Sequence, residues 1–329
     1  MRAAVITKPG GPEVLQIENR PTPKPGPGEI LVRVRASALN RADILQRKGQ
    51  YPAPPGAPPD IPGLEFAGEV ASLGPGVAEW RPGDRVLGIV AGGGNAEYLV
   101  TDARTVAQMP ADLSWTDAAA IPEAFITAHD ALVTQACVAD GEAVLIHAVG
   151  SGVGLAATQL ARAWKAIPYG TARTAEKIDR AQTYGLVAGL VVVDDDVDVI
   201  PHFVERLTAA RGIDVTIDLV GGAYVAASIR AAALRGRIML VGTIAGRTAN
   251  LPLHLVLARR LTLRGTVLRA RSIDEKRVAT AAFAKDVVPM FASGVLRPTI
   301  DTVFELEDIR AAHERLESNA TFGKIVVRV

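Results

Sequence analysis

The chain has 329 residues, of which 49% are hydrophobic and 22% are charged, and its formal net charge is +1. This length suits two domains of roughly 100 to 200 residues each. A nearly neutral chain argues against a nucleic acid as the main partner, because contacts to phosphates require a basic face.

The only cysteine is Cys137, which excludes an intrachain disulfide and a zinc site built from four thiolates. We expect Cys137 to be a small buried side chain in a protein of the reducing cytoplasm. The longest apolar stretch, residues 186–193, is shorter than the roughly 20 residues of a membrane helix, so we expect no membrane span.

Residues 1–122 are rich in proline and glycine and contain only short apolar runs. The runs predicted as strands are Ala3–Ile6, Ile30–Val34, Gly68–Leu73, Arg85–Ile89 and Ala96–Val100. Many short strands separated by turns predict a β-barrel or a sandwich. The six prolines of Tyr51–Pro62 exclude a helix or a central strand, leaving either a surface loop or the wall of a pocket.

Residues 123–264 change character, because strands and helices are predicted to alternate there. The predicted order is strand Val144–His147, helix Leu155–Trp164, strand Ile167–Tyr169, helix Ala175–Tyr184, strand Leu190–Val193, helix Val204–Ala210, strand Val215–Leu219, helix Tyr224–Leu234 and strand Ile238–Val241. This alternation predicts an α/β domain with a parallel sheet buried on both faces.

Residues 265–329 return to mixed patterning. We predict helices over Asp274–Phe291 and Leu306–Glu317, followed by a terminal strand over Lys324–Val329.

A glycine-rich turn, residues 147–154, lies between the first strand and the first helix of the α/β region. Glycine permits the tight turn and the close backbone approach that a dinucleotide pyrophosphate requires, and the following helix presents free N–H groups to the phosphates. The segment Gly150–Gly154, which comprises Gly150, Ser151, Gly152, Val153 and Gly154, is therefore predicted to bind a dinucleotide. The alternative is an ordinary strand–helix turn without a ligand.

The end of the next strand favours NADPH over NADH. An NAD site places an acidic residue there to bond the ribose 2′-hydroxyl, but no acid precedes Glu176 in this segment. Instead Thr171, Arg173, Thr174 and Lys177 offer donors and positive charge suited to a 2′-phosphate. The alternative, a solvated basic helix start, would oppose the helix dipole.

Ordered blocks along the whole chain resemble the zeta-crystallin-like quinone oxidoreductases, a branch of the medium-chain dehydrogenase/reductases. The blocks are Lys8–Glu13, Asn40–Tyr51, Gly63–Val70, Gly83–Val86, Gly92–Tyr98, Ala119–Pro122, Thr127–Ala128, Leu263–Gly265, Leu268–Arg271 and Gly323–Val326. Within that branch, the Gly-Gly-Gly and Ser-Gly-Val-Gly stretches most resemble the subgroup of the p53-inducible quinone reductase.

The resemblance implies a GroES-like β-barrel domain over residues 1–122, completed by residues 265–329, and a Rossmann NADPH-binding domain over residues 123–264. It also implies an active site in the cleft between the domains, and a homodimer or a tetramer. The activity implied is an NADPH-dependent quinone oxidoreductase.

The resemblance also predicts that no metal is bound. Zinc alcohol dehydrogenases, the neighbouring branch, carry a cysteine and a His-Glu pair where this chain has Asn40 and Leu64-Glu65, and neither asparagine nor leucine is a zinc ligand of that kind. Without a Lewis acid, the hydride acceptor must itself be electrophilic, as quinones and activated enones are.

Asn40 and Tyr51 are the predicted catalytic residues, since either could donate to an acceptor oxygen as negative charge builds on it. For Tyr51, which we also place among the cofactor contacts, the alternative is a packing aromatic. Asp43 and Glu65 are expected to hold the loop by hydrogen bonds. The remaining cofactor contacts implied by the match are Thr127, Gly242, Leu268, Arg269, Arg271 and Lys324. For Arg269 and Arg271 the alternative is a charged edge strand.

The segment after the third α/β strand departs from the family, which often has a tyrosine near the adenosine phosphate. This chain has Asp194-Asp195-Asp196, interpreted as a solvated turn, and Arg173 where relatives have a small residue. We interpret Arg173 as a substitute for that tyrosine at the adenosine phosphate.

Two other functions remain open. A 2-alkenal or enone reductase would use the same hydride donor but place a proton on carbon. RNA binding or a structural role of the zeta-crystallin kind is the non-enzymatic alternative, which the near-neutral charge disfavours.

Overall fold

The computed structural model describes residues 1–194 and 196–329, which divide into two compact units. Unit 1 comprises Met1–Ile126 and Leu268–Val329, and unit 2 comprises Thr127–Val267. The strands are β1 (Arg2–Ile6), β2 (Leu15–Asn19), β3 (Glu29–Leu39), β4 (Glu65–Leu73), β5 (Arg85–Ile89), β6 (Tyr98–Asp102), β7 (Val106–Gln108), β8 (Ala143–Ile146), β9 (Ile167–Ala172), β10 (Ala188–Val191), β11 (Ile213–Asp218), β12 (Ala232–Leu240), β13 (Thr262–Gly265), β14 (Ile300–Glu305) and β15 (Lys324–Arg328).

The helices are α1 (Arg41–Arg47), α2 (Trp115–Ala119), α3 (Pro122–His129), α4 (Gly152–Ala163), α5 (Ala175–Gln182), α6 (Val199–Leu207), α7 (Ala223–Ala231), α8 (Leu253–Arg259), α9 (Ile273–Asp286), α10 (Val288–Ala292) and α11 (Ile309–Glu317). A π-helical turn over Asp130–Gln135 continues α3. Within the described residues, no helix is both long and apolar enough to cross a membrane.

Unit 1 is built on a sheet with the order β14-β15-β3-β4-β5-β7, in which β6 also pairs with β3. Alternate residues of β3, including Ile30, Val32 and Val34, pack with Phe66 of β4 into an apolar core. The last strand, β15, lies antiparallel to β3, so the end of the chain packs beside the start of α1. The predicted barrel-type architecture of the first region is confirmed.

Unit 2 is a parallel sheet with the order β10-β9-β8-β11-β12-β13. This order is that of a doubly wound dinucleotide-binding fold, in which ligands bind at the carboxyl ends of the strands where the winding reverses. The reversal falls between β8 and β11, so the glycine turn after β8 lies at that edge. The predicted Rossmann architecture is confirmed.

Several local predictions were wrong. The helix predicted over Asp274–Phe291 is two helices, because Pro289 has no N–H and cannot continue the hydrogen-bond ladder. Cys137 is exposed rather than buried and has a φ of 50°, since it lies in the turn that ends the π-helical segment. Residues 268–271 form a turn, so the edge-strand alternative for Arg269 and Arg271 is wrong.

Asp194 and Asp196 of the predicted aspartate turn are exposed, and Asp195 lies outside the described residues.

Candidate functional site

A buried polar cluster surrounds Asn40, at the junction between β3 and α1. The Nζ atom of Lys324 lies 2.6 Å from Asn40 Oδ1, 2.6 Å from Glu65 Oε1 and 2.8 Å from the Leu39 carbonyl oxygen. Asn40 Nδ2 donates to Glu65 Oε1 at 2.9 Å and to the Ala38 carbonyl at 3.3 Å. An ammonium only donates and a carboxylate only accepts, so these neighbours fix which way the Asn40 amide points.

The carboxylates of Asp43 and Glu65 connect this cluster to neighbouring segments by hydrogen bonds, as predicted. Asp43 accepts from the backbone N–H groups of Asn40 at 2.7 Å and Gly63 at 2.9 Å. Glu65 Oε2 accepts from the backbone N–H of Glu123 at 2.8 Å. Burial raises the pKa of Asp43 to about 6, although both backbone hydrogen bonds favour its charged form.

Glu123 was missed at the sequence level. It is half-buried in the first turn of α3, and its carboxyl group makes no hydrogen bond or ion pair with the described residues. Burial, together with the negative charge of Glu65, raises the pKa of Glu123 to about 8. An acidic residue in a first helical turn is ordinary, so only the buried neighbours show that this carboxyl is neutral near pH 7.

Tyr51 and Arg269 form a second cluster in unit 1. The guanidinium of Arg269 lies 4.9 Å from the centre of the Tyr51 ring and donates to the Tyr51 carbonyl oxygen at 3.2 Å. It also donates to the Ala91 carbonyl at 2.8 Å and to Gln46 Oε1 at 2.6 Å. Burial raises the pKa of Tyr51, so its hydroxyl keeps its proton.

A cavity of about 610 Å³ lies beside this cluster. Pro54–Pro58 and Ile89–Gly92 form one part of its wall, and Arg269–Ile273 with Lys276 form another. The proline-rich segment is therefore the wall of a pocket, one of the two interpretations that the sequence left open. Arg271 is half-buried and lines the cavity.

The glycine turn in unit 2 has the geometry of a ligand cradle. A Cβ on Gly154 would lie 2.6 Å from the Ala148 carbonyl oxygen and 2.8 Å from the Val149 Cα, so only glycine fits there. Ser151 Oγ accepts from the backbone N–H of Gly154 at 3.1 Å and caps α4. Gly152 and Val153, in the first turn of α4, are partly exposed. The Ser151 oxygen thus caps the helix as an acceptor, while the turn itself can approach a phosphate closely.

Two basic residues follow β9, the strand next to β8: Arg173 directly after the strand and Lys177 in the first turn of α5. A Cβ on Gly150 would be 3.0 Å from the Lys177 Cδ, so the lysine stem lies against the glycine turn. Arg173 is exposed and makes no hydrogen bond or ion pair within the described chain. Thr174 Oγ1 caps α5 by accepting from the Lys177 N–H at 3.4 Å. The turn and both cations therefore occupy one edge of the sheet.

His147, to which the sequence assigned no role, is buried at the start of the glycine turn and hydrogen-bonds to Thr171 and Ser228. Ser228 Oγ donates to the Tyr224 carbonyl, so His147 Nε2, at 2.9 Å, must donate to Ser228. Burial lowers the pKa of His147, and in the neutral ring Nδ1 accepts from Thr171 Oγ1 at 3.0 Å. Thr171 is buried, with its hydroxyl proton committed to this bond.

The other predicted contacts lie in several places. Thr127 is half-buried in α3, and Leu268 is buried in unit 1. Gly242 lines a second cavity, of about 340 Å³, at the carboxyl ends of β12 and β13. The donors of Lys324 are used within unit 1, and its predicted contact with a cofactor stays a prediction. No group of three His, Cys, Asp or Glu side chains in the described chain could hold a metal.

Comparison with known proteins identifies two family matches. Residues 26–111 match the alcohol dehydrogenase GroES-like domain, and residues 189–327 match the zinc-binding dehydrogenase family. Over 331 residues the chain is 32% identical to quinone oxidoreductase from Lama guanicoe, covering 99% of this chain and 97% of that protein.

Two solved structures are similar over the full length. Escherichia coli quinone oxidoreductase complexed with NADPH has a TM-score of 0.89 and 28% identity, with 100% of both chains covered. An NAD-dependent alcohol dehydrogenase has a TM-score of 0.85 and 32% identity, also with 100% of both chains covered.

Proposed function

This chain belongs to the medium-chain dehydrogenase/reductases, among relatives of the quinone oxidoreductases, and from that premise we propose that it reduces quinones with NADPH and without a metal. The observation that carries the proposal is the glycine turn in unit 2, which requires glycine at position 154, lies against the stem of Lys177 and follows β8, the strand next to the one that Arg173 follows. The structural relative complexed with NADPH supports the same choice of cofactor.

NADPH would be held by the backbone of Gly150–Gly154 at its pyrophosphate and by Arg173 and Lys177 at its 2′-phosphate. Free N–H groups at the start of α4 suit a diphosphate, and an exposed arginine suits a phosphate dianion. When bound, NADPH supplies the hydride from C4 of its nicotinamide. Thr127, Thr171, Thr174, Gly242, Leu268 and Arg271 remain predicted contacts of the cofactor.

A metal-free reaction agrees with the chemistry around Asn40. The Lys324 ammonium is the cation held between Asn40 Oδ1 and Glu65 Oε1, at 2.6 Å from each. The oxygens that would otherwise be available to a metal are thus satisfied by a lysine. Asn40 Nδ2 makes its longer hydrogen bond with the Ala38 carbonyl, at 3.3 Å, and this N–H is the one for which an acceptor oxygen would compete.

Tyr51 is the second donor that we assign to the acceptor. Its hydroxyl stays protonated because burial raises its pKa, and its ring is held beneath the Arg269 guanidinium. A fixed donor of this kind stabilises negative charge that builds on a quinone oxygen as hydride arrives. Arg269 acts here as a positioning residue, because its donors are occupied by loop carbonyls and by Gln46.

We also propose that the protein is a homodimer that pairs through β13. All four residues of this edge strand are exposed, and β12 is its only neighbour in the described sheet. Leu257 of the adjacent helix α8 is 78% exposed, and α8 has no buried residue. An uncovered edge strand beside exposed leucines favours pairing with a second copy across a two-fold axis.

Oxidation of NADPH and NADH at 340 nm, with a panel of quinones and enones, tests the proposal. Arg173→Ala should raise the KM for NADPH with little effect on NADH. Arg180→Ala, which removes an arginine from the helix that follows Arg173, is the matched control. Equal use of NADH and NADPH by the wild type, with no effect of Arg173→Ala, would refute the cofactor assignment.

Product analysis separates the two acceptor classes. Formation of a quinol supports the proposed reaction, whereas turnover of enones alone, with a saturated carbonyl as product, would replace it with enone reduction.

A further inference from the structure

We propose that the 610 Å³ cavity of unit 1, here called the basic cavity, binds an anionic group on the acceptor, so that the preferred substrates are quinones carrying a carboxylate. This inference rests on the proposed quinone reduction and names its substrate class.

The charged residues that line the basic cavity are all cations. They are Arg269, Arg271 and Lys276, and no aspartate or glutamate among the described residues belongs to the wall. The opposite part of the wall is apolar, with Pro54, Pro55, Ala57, Pro58, Ile89 and Val90. A molecule with an apolar ring system and a carboxylate matches this division. The ring system would contact the apolar part of the wall, and the carboxylate would contact the cations.

Lys276 is the cation best placed to meet such a group. It is half-buried, and its ammonium group makes no hydrogen bond or ion pair with any described residue. Burial lowers its pKa, because the ammonium has lost part of its hydration without gaining a carboxylate in contact. Of its charged surroundings, Arg269 opposes the ammonium, and Glu123 favours it only once that carboxyl ionises, near its pKa of about 8. An anion entering the cavity would supply the missing partner.

The basic cavity is continuous with the proposed acceptor site through Arg269. This residue lines the cavity and also contacts the ring and the carbonyl oxygen of Tyr51. The proline segment of the wall begins three residues after Tyr51. A substrate whose carboxylate lies near Lys276 would therefore have its ring system directed toward the Tyr51 side of the cavity.

The volume also suits this class of substrate. Pockets for small molecules usually span about 300 to 1,000 Å³, and this cavity lies within that range. Proline has a fixed φ angle, so a wall of prolines loses little conformational entropy when a ring system binds against it.

The test compares 1,4-naphthoquinone carrying a carboxyethyl chain with the corresponding primary amide. Wild-type protein should prefer the acid, and Lys276→Met should raise its KM by roughly 10- to 100-fold, as expected for the loss of one charge-assisted hydrogen bond. The KM for the amide should be the same in Lys276→Met as in the wild type. Lys276→Arg should retain the preference, and Lys285→Met, on the exposed side of the same helix, is the matched control.

Binding of 2-naphthoate, measured by calorimetry on the wild type and on Lys276→Met, gives a readout that does not need turnover. Equal KM values of the wild type for acid and amide, or naphthoate binding that Lys276→Met leaves intact, would overturn the proposal. A rise in the KM for NADPH alone would assign the cavity to the cofactor and also overturn it. Absence of any quinone turnover, with Lys276-dependent naphthoate binding preserved, would instead refute the proposed function and leave an anion-binding cavity.

Discussion

Replacement of Lys324 by methionine should leave the Glu65 carboxylate buried without its cation. Glu65 is 0% exposed and Lys324 is 5% exposed, and their charged atoms lie 2.6 Å apart. Breaking a buried pair of this kind costs about 3 to 5 kcal/mol, because the remaining charge has lost both water and its partner. Glu65 keeps hydrogen bonds from Asn40 and from the Glu123 N–H, so we expect about 3 kcal/mol, the lower end of this range.

Urea unfolding followed by circular dichroism measures this loss. The double variant Glu65→Gln with Lys324→Met removes both charges and should recover a large part of the stability, because no buried charge remains unpaired. Lys285→Met removes an exposed lysine and should change stability by less than about 0.5 kcal/mol. A Lys324→Met protein as stable as the wild type, or a double variant less stable than either single one, would refute the reasoning.

The remaining predictions concern the glycine turn, the carboxyl group of Glu123 and the edge strand β13. Gly154→Ala should weaken NADPH binding at least roughly 10-fold, since the new methyl group would meet the Ala148 carbonyl; fluorescence titration with NADPH measures this, and unchanged binding would show that the turn does not form the cradle. The folded state raises the pKa of Glu123 from 4.5 to about 8, so it holds that proton more tightly than the unfolded chain does. Stability should therefore fall as pH rises from 4.5 through 8, and Glu123→Gln should make the melting temperature less sensitive to pH over that interval; identical pH profiles would contradict the assignment. Leu263→Lys should convert the proposed dimer to a monomer in analytical ultracentrifugation, because Leu263 is 43% exposed on the edge strand, whereas Val295→Lys, at a more exposed site in unit 1, should not.

The sequence by itself determined the architecture of both units. Alternating strands and helices after residue 123 can pack only as a parallel sheet covered on both faces, and the glycine turn follows the first of these strands. Short strands separated by proline and glycine predicted a barrel or a sandwich, and the family resemblance favoured the barrel. These signals are local, since they depend on spacing, turn residues and hydrophobic period.

The tertiary structure alone decided which charged groups meet. Lys324 and Glu65 are 259 residues apart in the chain, and nothing in either local sequence predicts their contact. The pairing arises because β15 lies antiparallel to β3, which brings the end of the chain beside Asn40. The exposed position of Cys137 has the same kind of origin, because it depends on how one turn is placed on the finished fold.

The charge states of Glu123 and Lys276 also could not be predicted from the sequence. Each occupies an ordinary helical position in the sequence, and burial in the folded chain is the largest cause of the altered pKa of each. Composition and spacing fix the elements and the turn that would hold a dinucleotide, because those depend on backbone geometry. The charge state of a side chain depends on its solvation and its long-range partners, and these exist only once the chain has folded.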